Sequence, residues 1–166
     1  MQAKRKWLFL MIPVFVLVVA GMVLLGGRGI EFPYGIRHDM SLNEMRVKME
    51  DAGIAYSRTQ EYSGRTTLFF DTSYVNGVTS DFATIEYERG RGTVDLNFFF
   101  IEGKEFGRQN VSGTYTELKE WLLKTYGKPA TDMDGLCRWE KGHMSLCLSY
   151  ADRTGGNLSL SYDYEP

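Results

Sequence analysis

Apolar and polar residues alternate most regularly in "NLSLSYDYE", where Leu158, Leu160 and Tyr162 are separated by small or charged residues. A period of two is typical of a strand with one face on a core and the other in solvent. Similar patterns predict strands in "TTLFF", "FATIEYER", "TVDLNFFFIE", "GLCRWE" and "HMSLCLSY". Glycine-bearing turns such as "GRG" lie between some of these strands, so we expect antiparallel hairpins.

Two segments instead carry apolar residues at helical spacing. In the first, Ser41 and Glu44 form the sequence pattern of a capping box, Met45 and Met49 lie on one face, and Gly53 follows the last turn. This predicts a helix that runs from the Ser41 cap to about residue 52.

The second helix is predicted from "TYTELKEWLLKTYGKP", with Thr114 as the N-cap and Glu117 completing the box. Leu118 and Leu122 form its apolar stripe, and Gly127 ends it. Each helix precedes strand-like sequence, which indicates an α+β fold. We expect two helix-plus-antiparallel-sheet units, at about 36–105 and 110–166, packed as one domain.

The N-terminal residues have a different composition. Lys4, Arg5 and Lys6 precede an uncharged apolar run from Trp7 to Leu25. About 20 helical residues span the roughly 30 Å of a bilayer core. Residues 7–26 are therefore predicted to form a transmembrane signal anchor.

The position of the basic residues predicts the orientation of this anchor. By the positive-inside rule, residues 1–6 form a cytoplasmic stub, 27–35 a linker reaching at most about 35 Å, and 36–166 an extracytoplasmic domain. The predicted location is the cell inner membrane, single-pass, with the domain in the periplasm or extracellular space. A signal peptide cleaved near Ala20 is the alternative.

The charge of the outer part argues against nucleic acid as a partner. With the three basic residues of the stub set aside, 16 of the 19 Lys and Arg residues remain against 21 Asp and Glu residues, a net charge of −5. Binding to nucleic acid or to an anionic membrane surface needs a basic face.

Both cysteines fall in "CRWEKGHMSLC". A zinc site of Cys137, His143 and Cys147 is excluded by the length of a hairpin, and nine intervening residues do not fit a redox motif. A three-residue turn places Cys137 opposite Cys147, whereas a two-residue turn at Lys141 and Gly142 places them on opposite faces. An extracytoplasmic location favours the disulfide, and apolar patterning favours the other register.

No catalytic motif, cofactor motif or metal site was found in the sequence, so we do not expect an enzyme. "DMDG" from Asp132 resembles the start of a calcium loop, but Leu136 stands where an oxygen ligand is needed. His38 and Asp39 are a candidate acid/base pair, with a solvated loop as the simpler interpretation.

Aromatic and turn residues suggest a contact surface. In "LNFFFIE", Phe99 and Ile101 share the strand face opposite Phe98 and Phe100. They are either covered within the domain or available as an anchor for a partner. His143, near a hairpin tip, is a further candidate contact.

"GIRHDMSLNEM", "ATIEY", "LLKTYGKP" and "LSLSY" carry a resemblance to small bacterial envelope proteins with a capped helix and a meander, twice over. The pattern is similar to β-lactamase-inhibitor-protein-like and outer-membrane-assembly-lipoprotein-like folds over about residues 32–164, although no lipid-attachment cysteine is present. The resemblance implies a module that binds another envelope protein. A carboxylate-based envelope hydrolase, with residues assembled only in the fold, is the alternative function.

Overall fold

A computed structural model describes residues 29–102, 111–151 and 156–166 of the chain. They form a large antiparallel sheet with two helices, which confirms the α+β prediction. The helices are α1 (Leu42–Asp51) and α2 (Val111–Tyr126). The strands are β1 (Tyr56–Tyr62), β2 (Arg65–Phe70), β3 (Ser73–Val75), β4 (Val78–Ser80), β5 (Phe82–Glu88), β6 (Thr93–Ile101), β7 (Thr131–Met133), β8 (Leu136–Lys141), β9 (Met144–Ala151) and β10 (Asn157–Tyr164).

The main sheet has eight strands in the order β1-β2-β5-β6-β10-β9-β8-β7. Each half is a helix followed by an antiparallel meander, and the β3–β4 hairpin is inserted in the first half as a separate two-stranded sheet. The halves are joined by antiparallel pairing of β6 with β10. This central pairing brings residues that are far apart in sequence side by side.

Helix α1 begins as its sequence predicts. The Ser41 hydroxyl accepts a hydrogen bond from the Glu44 backbone N–H at 3.3 Å, and the Ser41 N–H donates to the Glu44 carboxylate at 2.7 Å. Gly53 follows the helix with a φ of +81°, a conformation that glycine adopts without a Cβ penalty.

Helix α2 begins earlier than predicted. It starts at Val111, so Thr114 lies inside the helix and the prediction of Thr114 as the N-cap was wrong. The side chain of Val111 is fully buried, and its packing extends the helix through Gly113 despite the cost of a helical glycine. The end of the helix at Tyr126, before Gly127, is as predicted.

Four of the strands were missed by the sequence analysis. Strand β1 is polar and exposed along most of its length, as edge strands often are, and lacks the alternation of a half-buried strand. The β3–β4 hairpin turns at Asn76 and Gly77, both with positive φ. An Asn-Gly pair is the strongest short hairpin signal, so this hairpin was predictable. The short β7 pairs with β8 at the other sheet edge.

One apolar cluster contains buried side chains of both helices and of one face of the sheet. Met45 and Met49 come from α1, and Leu118 and Leu122 come from α2. Both helices therefore pack on the same side of the sheet, here called the helix side. The opposite side is the outer face.

The predicted linker at 27–35 does not behave as a free linker throughout. Ile30 and Phe32 are only 5% and 7% exposed and belong to the core cluster, and a 3-10 turn follows at Pro33–Gly35. Apolar residues in a Gly-rich segment here serve packing. The predicted stub and the run from Trp7 to Leu25 lie outside the described residues, and no helix among the residues described is long and apolar enough to span a membrane.

Candidate binding surface on the outer sheet face

Strand β6 separates the two sides of the sheet clearly. Phe98 and Phe100 are fully buried on the helix side, whereas Phe99 and Ile101 are half-buried on the outer face. These side chains thus lie on opposite faces, as the alternation in the sequence predicts. The Ile101 backbone N–H donates to the Asp81 carboxylate at 2.6 Å, which fixes the end of the strand.

Three carboxylates lie side by side across the middle of the outer face. Glu86 in β5 is the Cα partner of Asp95 in β6, and Asp95 is the partner of Asp163 in β10. We call these residues the acidic row. Like charges directly opposite one another destabilise a sheet, so this arrangement works against the stability of the fold.

The electrostatic effect is largest at Asp95. Burial, followed by the negative charges of Asp163 and Glu86, raises the pKa of Asp95 to about 6. Burial also raises the pKa of Asp163, although Ser145 opposes this by donating a hydrogen bond to its carboxylate at 3.2 Å. Groups with perturbed pKa values are concentrated at functional sites, which marks the acidic row as a candidate.

Among the ion pairs of the described residues, one reaches the acidic row, at Glu86. Arg65 bonds to Glu86 and to Glu88, each at 3.2 Å. Arg138 pairs with Glu140 at 2.9 Å. Within the ranges that the structure describes, no ion pair reaches Asp95, so the row keeps unneutralised negative charge.

An aromatic patch lies on the same face. Phe82 and Phe99 are Cα partners whose rings stack with centroids 4.6 Å apart, and Phe69 lies on the neighbouring strand β2. All three line a depression of about 320 Å³. The Arg58 guanidinium lies 4.5 Å from the centre of the Phe69 ring and adds a cation to one border.

The spacing between the patch and the row follows from the strand geometry. Phe99 and Asp95 are four residues apart in β6, which corresponds to roughly 13 Å at about 3.3 Å per residue. Between them lies Asn97, whose side-chain amide donates to Thr84 at 3.3 Å. The surface therefore offers an apolar contact and an anionic contact at a fixed separation.

His143 lies near the Asp163 end of the acidic row. It is an exposed turn residue whose ring Nδ1 lies 2.9 Å from the Glu165 carbonyl oxygen. With Asp163, Arg138 and Ser145, it lines a depression of about 310 Å³. Of the residues predicted as contacts, Phe99 and Ile101 lie farther along β6 from Asp95, whereas His143 lies in the β8–β9 turn, on the Asp163 side of the row.

The expected disulfide is corrected by the structure. Cys137 and Cys147 are free, and the hairpin register pairs Cys137 with Leu148 and Cys147 with Arg138. The turn consists of Gly142 and His143, whereas both turns considered from the sequence began at Lys141. Cys137 is therefore buried on the helix side, whereas Cys147 is half-buried on the outer face.

The other sequence candidates have structural roles. The His38 ring stacks on Tyr164 with centroids 3.8 Å apart, while Asp39 pairs with Arg37 at 3.0 Å. The Arg37 guanidinium holds the pKa of Asp39 below its usual range, so His38 and Asp39 do not form the candidate acid/base pair.

Asp132, at the start of the calcium-like sequence, accepts hydrogen bonds from Lys119 at 2.8 Å and from the Cys137 thiol at 3.3 Å. Among the described residues, no cluster of three or more metal-ligating side chains was found.

Comparison of the chain with models of protein families, with curated proteins and with solved structures found no match.

Proposed function

We propose that the protein is a membrane-anchored module that binds another envelope protein through its outer sheet face. The observation that carries the proposal is the combination of an under-neutralised acidic row with a half-buried aromatic patch on one rigid sheet. Aromatic side chains supply much of the binding energy at protein interfaces, and charge complementarity supplies specificity.

The chemistry of the surface defines the partner segment. The partner segment presents an apolar side chain to the aromatic patch of Phe69, Phe82 and Phe99. It also presents a lysine or arginine to Asp95 and Asp163. In an extended segment these two side chains are about four residues apart, because the two contacts are separated by roughly 13 Å. A cationic group between Asp95 and Asp163 relieves their mutual repulsion, which favours the bound state.

Site-specific photocrosslinking in intact cells tests the proposal. A photoreactive phenylalanine replaces Ser161, which lies beside Asn97 on the outer face, and the matched control replaces exposed Lys48 on α1. We expect a discrete adduct from position 161 and none from position 48. Equal adducts from the two positions would overturn the proposed surface.

Variants of the surface then test its chemistry. Phe99→Ala and the double change Asp95→Asn with Asp163→Asn should each reduce the adduct by at least about tenfold, as expected for hot-spot residues. Glu61→Gln, at an exposed position of β1, is the charge control and should leave the yield of the adduct unchanged. An adduct that is insensitive to all these changes contradicts a binding site built on the row and the patch.

A second candidate function is the carboxylate-based envelope hydrolase, favoured by the raised pKa of Asp95 beside Asp163. A protonated and an ionised carboxylate on neighbouring strands are the groups that acid/base hydrolysis requires. Release of soluble fragments from dye-labelled cell-wall polymer tests it, with Asp95→Asn as the comparison. Release at the rate of buffer alone would exclude this activity for that polymer.

A further inference from the structure

A second surface, on the helix side of the sheet, is a cleft of about 740 Å³ beside Gly29, the first described residue. Its lining is rich in aromatic side chains, contributed by the N-terminal segment, the β3–β4 hairpin, α2 and β10: Phe32, Tyr34, Tyr74, Trp121, Tyr126 and Tyr162. The cleft is distinct from the acidic row, because Tyr162 and Asp163 are consecutive in β10 and face opposite sides of the sheet.

The aromatic side chains of the cleft are graded from buried to exposed. Tyr162 is buried at its base, and Tyr34 and Trp121 are half-buried. The Tyr34 hydroxyl donates to the backbone carbonyl of Tyr74, which ties the N-terminal segment to the β3–β4 hairpin. The Tyr74 side chain itself is 61% exposed, so the rim of the cleft presents an aromatic ring to its surroundings.

The length of chain before the cleft limits what can lie opposite it. Since Ile30 is packed in the core, only Gly26 to Gly29 separate the apolar run ending at Leu25 from the folded domain. Five Cα steps of at most about 3.5 Å place Ile30 within roughly 17 Å of the end of that run. The polar headgroup layer occupies roughly 5–7 Å of this distance.

We infer that the aromatic cleft beside Gly29 rests on the lipid bilayer, with Tyr74 and Trp121 at the headgroup level of a zwitterionic membrane. The inference rests on the membrane anchoring in the proposed function. Tyr and Trp are enriched at the membrane interface because an apolar ring and a polar group suit that layer. Glu31 is the charged side chain lining the cleft, so anionic lipid is not the favoured surface.

This orientation places the two surfaces on opposite sides of the domain relative to the membrane. With the helix side on the bilayer, the outer face that carries Asp95 and Phe99 points away from the lipid. A partner then reaches the acidic row without displacing the domain from the membrane.

Fluorescence quenching in vesicles tests the contact. The full chain with Cys147→Ser is reconstituted in phosphatidylcholine containing a lipid with a nitroxide on its headgroup. A bimane label is attached at Tyr74→Cys, and the matched control carries it at Tyr62→Cys, another exposed tyrosine, at the far end of β1. We expect at least about twofold stronger quenching at position 74, since β1 alone extends roughly 20 Å.

Equal quenching at the two positions would overturn the inference. A flexible Gly-Ser insertion between Gly27 and Arg28 separates docking from simple proximity. If the cleft docks on the bilayer, the lengthened chain still shows stronger quenching at position 74 than at position 62. If the Gly-Ser insertion abolishes this difference in quenching, a binding role for the cleft is contradicted. Quenching at 74 that needs native membranes and is absent in pure phosphatidylcholine would assign the cleft to a membrane protein instead.

Flotation of the same vesicles distinguishes the failure of the two proposals. A chain that does not float with lipid refutes the anchoring, and with it both this inference and the membrane part of the proposed function. A chain that floats without selective quenching refutes the cleft contact alone. Crosslinking at Ser161 stays an independent test of the outer face.

Discussion

Asp95 in β6 and Asp163 in β10 lie directly across from each other where the two halves of the sheet meet. Burial raises the pKa of both carboxyls above the usual value of 3.8, and the negative charge of Asp163 raises the pKa of Asp95 further. Folding therefore becomes less favourable whenever both are ionised. Under the proposed function, this cost in stability is the counterpart of an anionic binding site.

The first prediction concerns pH. Because the pKa of Asp95 is about 6 in the folded state and 3.8 as its ordinary value, the folded chain binds more protons between these values. The unfavourable contribution of the ionised Asp95 carboxylate to the free energy of unfolding is fully present above about pH 6. It is lost as pH falls toward about 4. The contribution of Asp95 to the free energy of unfolding should therefore become less unfavourable as pH decreases through this window.

Asp95→Asn should remove most of this dependence. After a discount for the solvent contact of the side chain, we expect about 1 kcal/mol of stabilisation at pH 7.5 and little change at pH 4. Urea unfolding of the detergent-solubilised chain, followed by circular dichroism, measures both. Asp51→Asn, at an exposed position of α1, is the control. A difference in stability between Asp95→Asn and the parent that does not shrink from pH 6 to 4 would contradict the assignment.

The second prediction concerns the cysteines. In the folded, non-reduced chain, N-ethylmaleimide should modify Cys147 and leave Cys137 intact, because Cys137 is fully buried and its thiol donates to Asp132. Burial raises the pKa of the Cys147 thiol, so its reaction should be slower than that of a free cysteine. Intact-mass spectrometry counts the adducts.

Unfolding in urea without reductant should expose both thiols to the reagent. The Cys147→Ser variant should show no adduct in the folded state. A parent chain that takes up no reagent even in urea, until it is reduced, would instead support the disulfide predicted from the sequence.

The third prediction compares two turn glycines. Gly135 and Gly142 have φ values of +72° and +61°, so alanine is strained at both. A Cβ at Gly135 would also lie 2.5 Å from the Tyr150 carbonyl oxygen, whereas nothing lies within 4 Å of one at Gly142. We expect Gly142→Ala to cost about 1 kcal/mol and Gly135→Ala at least about 3 kcal/mol. Equal costs in urea unfolding would contradict the close approach of the strands.

The fourth prediction tests whether the segment before α1 belongs to the core. Ile30→Ala should lower the free energy of unfolding by about 2–4 kcal/mol, because a buried apolar side chain leaves a cavity. Val47→Ala, at a largely exposed position on α1, should change it by less than about 0.5 kcal/mol. Chemical unfolding of both variants under the same conditions provides the comparison, and matched values would restore the linker interpretation of this segment.

Local patterns predicted the elements whose causes are local. The Ser41 and Glu44 capping box, the alternation in β10 and the assignment of Phe99 to the outer face all follow from residues within a few positions. The same alternation placed Asp163 on the polar side of its strand. The local sequences of β6 and β10 do not indicate that these two strands are neighbours in the sheet.

The features that local sequence patterns did not predict depend on pairing between strands. The acidic row exists because β6 and β10 align Asp95 with Asp163, a relationship between residues in opposite halves of the chain. The polar strand β1 forms because β2 provides its hydrogen-bond partners. The cysteine hairpin turned one residue later than expected, and a shift of that size changed the residues that face each other.

The position of β10 also has a consequence for biogenesis. While a nascent chain is emerging, β6 has no neighbour on one side until β7, β8 and β9 have been made and β10 arrives to pair with it. An exposed strand rich in phenylalanine invites aggregation during that interval, and late non-local pairing slows maturation. Protection by a chaperone is thus most needed between completion of β6 and release of β10.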